Sequence, residues 1–78
     1  MEKVEILNKI QRILKEELKI QVEITEETAL VNEKVVDSME FMNYITTVEE
    51  MFDVSISDDD IAAQQLGVVK NMVDYLSR

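Results

Sequence analysis

The chain has 78 residues, 46% hydrophobic and 32% charged, with 17 acidic side chains against 8 basic ones and a formal charge of −9. It contains no Cys and no His, which excludes disulfides, thiolate nucleophiles, imidazole bases and nearly every zinc or iron site. No apolar run approaches a membrane span and the opening MEKVE is not a signal peptide, so one small soluble domain over residues 1–78, cytoplasmic and marginally stable, is expected.

The first segment, from Glu2 to Leu18, reads as an amphipathic helix. Val4, Leu7, Ile10, Ile13, Leu14 and Leu18 recur at three- and four-residue spacing with charges between them. Ile20, Val22 and Ile24 then alternate with polar residues, which predicts a brief extended stretch. The connection from there to Val36 has no strong period and is long for a compact domain. Its apolar residues Ala29, Leu30, Val31, Val35 and Val36 predict that it packs back across the helices rather than being disordered.

Asp37 opens a second helix, with Glu40 three residues on as in a capping box. Phe41, Ile45, Val48 and Phe52 line one face, broadened by Met42, Tyr44 and Met51, and the period breaks near Asp53. Ser57 with Asp60 repeats the capping pattern and predicts a short helix over about 58–63. Gly67, the only glycine, marks a corner before a last helix whose stripe is Val69, Met72, Val73 and Leu76, with Tyr75 beside it. Three main helices and one short one, with no strand pattern long enough for a sheet, predict an all-α bundle with a long loop between its first two helices.

Charge is unevenly spread. Lys3, Lys9, Arg12, Lys15 and Lys19 precede Ile20, whereas Val35 to Val69 contains no Lys or Arg and carries Asp37, Glu40, Glu49, Glu50, Asp53, Asp58, Asp59 and Asp60. Such a surface repels nucleic acid and anionic lipid and steers basic protein partners; the plain alternative is that these charges only solubilise. Two other chemistries fail. A calcium loop begun at Asp53 has Asp58 where Gly is needed and Gln64 where Glu is needed. Glu49 and Glu50, adjacent on a helix, point apart and cannot act as a catalytic dyad. No metal site is expected.

The segment Asp37-Ser38-Met39-Glu40, at a helix entrance after a long loop, resembles the Asp-Ser-Leu signature of acyl carrier proteins and related carriers. Glu49-Glu50-Met51-Phe52-Asp53 resembles that family's acidic stretch ending in Phe-Asp, and Ile56-Ser57-Asp58 its Ile-Pro-Asp turn. Leu66, Val69, Met72, Val73 and Tyr75 are similar to its last helix, so the likeness covers essentially the whole chain. It implies a small four-helix acyl-carrier bundle and a non-catalytic, monomeric carrier, with 4′-phosphopantetheine from coenzyme A joined to Ser38 by a phosphopantetheinyl transferase. The arm would supply the thiol this chain lacks. Asp37, Met39, Glu40, Glu49, Glu50, Asp58 and Asp59 are then expected to meet the transferase, a cargo-loading ligase or acyltransferase, and downstream enzymes with basic docking surfaces. Phe41, Tyr44, Ile45, Val48 and Ile61 read first as core; the resemblance implies that some also line a cargo cavity, and their bulk points to short or polar cargo.

Departures from the family pattern carry information. Lys34, Val35 and Val36 stand where a glycine is common, and Val-Val-Asp-Ser-Met looks closer to D-alanyl carriers than to the carrier of bulk fatty-acid synthesis. Asn43, Ser57 and Val68 replace a common Glu, Pro and Thr. Acyl, aminoacyl and D-alanyl cargo therefore all stay open, in fatty-acid-like or specialised lipid metabolism. So does an unmodified acidic adaptor of the same fold. A hydrolase built on Ser38 lacks a base to activate its hydroxyl.

Overall fold

A computed structural model describes residues 2–77, which form four helices and, among those residues, no strand. Helix α1 spans Lys3–Arg12 and runs on into one wide π turn, Ile13–Glu17, closed by the Leu18 N–H on the Ile13 carbonyl at 3.2 Å. Its inward seam is Ile6, Ile10, Ile13 and Leu14. Val4, which spacing placed on that seam, is 59% exposed; Ile6 sets the phase of the helix, and Val4 falls beyond the edge of the buried stripe. Lys19, at φ 58°, turns the chain away.

The alternation Ile20, Val22, Ile24 does not make a strand, because no neighbouring segment offers the backbone partners a strand needs. Ile20 and Ile24 are half-buried, Val22 faces solvent, and the Gln11 side-chain amide holds the Ile24 carbonyl at 2.8 Å. The long connection does pack across the helices: Thr28, Leu30 and Val36 are buried. It also completes the last helix, α4 (Val69–Leu76), whose N-cap Val68 has no side chain able to accept a hydrogen bond. The N–H of Val69 donates to the Thr28 carbonyl at 3.0 Å and that of Lys70 to the Glu26 carbonyl at 2.7 Å. Leu30 N–H on the Gly67 carbonyl, at 2.8 Å, fastens the same two segments.

Helix α2 covers Ser38–Phe52 and buries Tyr44, Ile45 and Val48; it ends where Asp53 enters the left-handed region at φ 55°. The short α3, Asp58–Ala63, starts with the Ser57 hydroxyl accepting the Asp60 N–H at 3.1 Å. Only this half of the expected box is used as written. The carboxylate of Asp60, one methylene shorter than Glu, accepts instead from the Tyr75 hydroxyl at 2.7 Å and ties α3 to α4. The corner before α4 lies at Gly67 as expected, but the residue with positive φ there is Gln65, at 51°. A Cβ on Gly67 would meet only Phe41 Cε1, at 3.9 Å, so the backbone does not demand glycine. α1 packs on α4, and α2 on the π turn, around one apolar cluster.

Candidate functional site

The start of α2 is settled by its own sequence. Asp37 is extended (φ −88°, ψ −177°); its Oδ1 accepts the Glu40 N–H at 2.8 Å, and Glu40 Oε1 accepts the Asp37 N–H at 3.0 Å. This reciprocal closure satisfies the cap and the third helical residue. Ser38 and Met39, the first two helical residues, keep backbone N–H groups with no acceptor among the described residues. These N–H groups, at the positive end of a fifteen-residue helix, suit an anion. Ser38 is exposed beside them.

Ser38 opens on a depression of about 470 Å3 lined by Val31, Lys34, Val35, Val36, Asp37 and Glu40. The chain reaches this shape through successive turns: Lys34 N–H donates to the Val31 carbonyl at 3.0 Å with φ 58°, and the N–H groups of Val35 and Val36 converge on the Leu30 carbonyl. Lys34 was not singled out for this role from the sequence. It is the one Lys or Arg between Ile20 and Val69, and the fold places it beside the serine. Its position four residues before Ser38, alone in an acidic stretch, was the available signal.

The remaining candidates divide. Met39 is 76% exposed, and Glu50, Asp58 and Asp59 are exposed as well. Glu40 is half-buried with its carboxylate engaged at the cap. Glu49 is likewise half-buried, its Oε2 accepting the Ile56 N–H at 2.7 Å, so it holds the turn after α2 in place. Tyr44, Ile45 and Val48 are sealed in the core, while Phe41 and Ile61 are half-buried against it. None of these five lines the depression at Ser38. Burial pushes the ionisation of the Tyr44 phenol well above the ordinary tyrosine range. Among the described residues, no cluster of three or more His, Cys, Asp or Glu could hold a metal ion, and no helix is long and apolar enough to cross a membrane.

Comparison with known proteins identifies the family. A family profile described as a phosphopantetheine attachment site matches residues 8–76. The chain is 30% identical to an acyl carrier protein of Guillardia theta over all of its own length and 95% of that protein. It is 35% identical to one of Buchnera aphidicola (88% of this chain, 86% of that one) and 34% identical to one of Coprothermobacter proteolyticus (97% and 92%). No solved structure matches. Fold and matches together define a phosphopantetheine-bearing carrier. The chain belongs to the acyl carrier protein family, and its prosthetic group is a covalently attached phosphopantetheine.

Proposed function

We propose that Ser38 is the attachment point, and that the chain carries acyl intermediates as thioesters on the arm and presents them in turn to enzymes with basic docking surfaces. The observation that carries this reading is the exposed Ser38 hydroxyl beside the unpaired N–H groups of Ser38 and Met39, at a helix start closed by Asp37 and Glu40. In the transfer, Ser38 Oγ would form a P–O bond to the arm-bearing phosphorus of coenzyme A as the pyrophosphate P–O bond breaks and adenosine 3′,5′-bisphosphate leaves. The hydroxyl proton passes to a base of the transferase, because the carboxylates flanking Ser38 are engaged in the cap. Once attached, the group supplies a thiol; the residues around it hold and orient its phosphate. Lys34 and the two free N–H groups fit a phosphodiester there, and Val31, Val35 and Val36 offer the arm an apolar floor.

Docking falls to the exposed acids Glu50, Asp58 and Asp59 with Met39 as the apolar contact, since Glu40 and Glu49 are committed to the fold. Each exposed charge contributes little alone, so together they act on encounter rate and orientation. The cargo is acyl, in fatty-acid-like or specialised lipid metabolism. Co-expression with a promiscuous phosphopantetheinyl transferase, followed by intact-mass measurement, tests the attachment. Addition of one arm to the native chain and none to Ser38→Ala is the expected result. An unmodified mass in both would sink the reading and leave an acidic adaptor of the same fold.

A further inference from the structure

The Tyr44 hydroxyl is the buried side-chain polar atom that finds no hydrogen-bond partner among the described residues. The residue has no solvent exposure and sits in the apolar cluster with Ile45, Val48, Leu66 and Met72. A hydroxyl sealed away without a partner forfeits the hydrogen bonds it made to water in the unfolded chain, and Phe would fill nearly the same volume without that loss. Tyr at this position therefore carries a stability cost that packing does not explain. Unsatisfied buried groups in folded proteins call for a functional explanation, and a ligand that completes the bonding is one.

The covering of Tyr44 points to where such a ligand enters. At roughly 100° per residue, Phe41 falls between Ser38 and Tyr44 around the circumference of α2. Its ring lies 5.9 Å from the Tyr44 ring, tilted by 37°, and is half-buried. Its Cε1 lies 3.9 Å from where a side chain on Gly67 would begin, so this edge of the ring is covered by backbone alone. A chain tethered at Ser38 that displaces Phe41 comes upon Tyr44 next. About six residues of helix, on the order of 9 Å, separate the two positions along the axis; an extended pantetheine arm exceeds that.

The surroundings set the chemistry of the cargo. The cluster around Tyr44 is apolar, so an ammonium would enter it without a counter-ion, and the alkyl part of a saturated chain offers the hydroxyl no acceptor beyond the thioester carbonyl that every cargo shares. A neutral oxygen completes it, and the buried phenol keeps its proton and so remains a donor. We infer that Tyr44 is a specificity-determining residue whose hydroxyl donates a hydrogen bond to a neutral carbonyl or hydroxyl oxygen on the acyl chain, selecting oxygenated cargo over saturated or aminoacyl cargo. The inference rests on attachment at Ser38.

The test loads octanoyl, 3-oxooctanoyl and alanyl arms from their coenzyme A thioesters onto the native chain and onto Tyr44→Phe. Intact mass verifies each species, and thermal midpoints are compared with those of the unmodified and arm-only forms. Unmodified Tyr44→Phe should melt above the native chain. In the native chain 3-oxooctanoyl should raise the midpoint roughly 4 °C or more beyond octanoyl, and alanyl should raise it least; the advantage of the oxo group should vanish in Tyr44→Phe. Equal gains from the two eight-carbon groups in the native chain, or a preference that survives in Tyr44→Phe, would overturn the inference. So would an arm-only form that removes the difference between the two proteins, since the hydroxyl would then bind an amide of the arm. If no species gains mass, the attachment reading falls and this one with it; mass gain without preference defeats this one alone.

Discussion

The starts of α2 and α4 solve the same problem in opposite ways. Every helix leaves its first N–H groups without intrahelical acceptors. At α4 the loop takes them: Thr28 and Glu26 carbonyls receive the N–H groups of Val69 and Lys70, and the local side chain at Val68 contributes nothing. At α2 the cap is entirely local, four residues long, and it closes on the cap and third residue while passing over Ser38 and Met39. One terminus is consumed in holding the fold together; the other leaves two N–H groups without an acceptor among the described residues. Helix N-termini can thus differ in what they offer an anion.

Proline at the first helical position exposes this difference most sharply. Both preceding residues, Asp37 and Val68, are already extended and accept a following proline without strain. Ser38→Pro removes an N–H that has no acceptor, so stability should change by no more than ~0.5 kcal/mol. Val69→Pro removes the bond to Thr28, leaves that carbonyl unpaired and disturbs a fully buried side chain, which should cost ~2–4 kcal/mol. Urea unfolding of the pair checks it. Equal losses would mean that the two termini do not differ as described.

The local cap of α2 gives the next effect in size. Asp37→Ala frees the Glu40 N–H and should cost ~1 kcal/mol, whereas Asp37→Asn keeps an acceptor and should hold most of it. For a chain of this length, about 1 kcal/mol shifts the melting midpoint by about 4–8 °C. An Asn variant as unstable as the Ala variant would place the contribution of Asp37 in its charge rather than its hydrogen bond.

The two termini were also unequally legible in the sequence. The box at Asp37 and Glu40 is written in adjacent residues, and the helices it and its neighbours announce fall close to where periodicity placed them. The cap of α4 is made by backbone carbonyls some forty residues away in the chain, and no side-chain pattern encodes it. Asp60 has the same cause: its pattern with Ser57 is local, but the competing partner, Tyr75, comes from another helix. Glu49, expected as a docking acid, also accepts the Ile56 N–H, a contact seven residues apart that no local pattern announces. Val4 and Ile6 differ only in helical phase, which the buried neighbours decide. At the proposed site, the cap around Ser38 could be read directly, while Lys34 reaches it through a left-handed turn that a lysine seldom makes and periodicity does not announce.

Placing a phosphate at the open terminus is the smallest change and the most direct measure of the contrast. Joining the arm to Ser38 sets one negative charge beside the N–H groups of Ser38 and Met39, a position where an anion stabilises a helix by ~0.3–1 kcal/mol at low salt. The holo form should therefore melt a few degrees above the apo form in dilute buffer, with the difference shrinking as salt shortens the screening length. Lys34 lines the same depression and has no ion pair among the described residues. Lys34→Gln should accordingly leave the apo midpoint almost unmoved while lowering the holo-minus-apo difference by a few tenths of a kcal/mol, as expected of an exposed pair, and Lys34→Arg should restore it. A variant that lowers apo and holo midpoints equally would assign Lys34 to the turn it occupies, leaving the two backbone N–H groups as the whole of the anion's reception at α2.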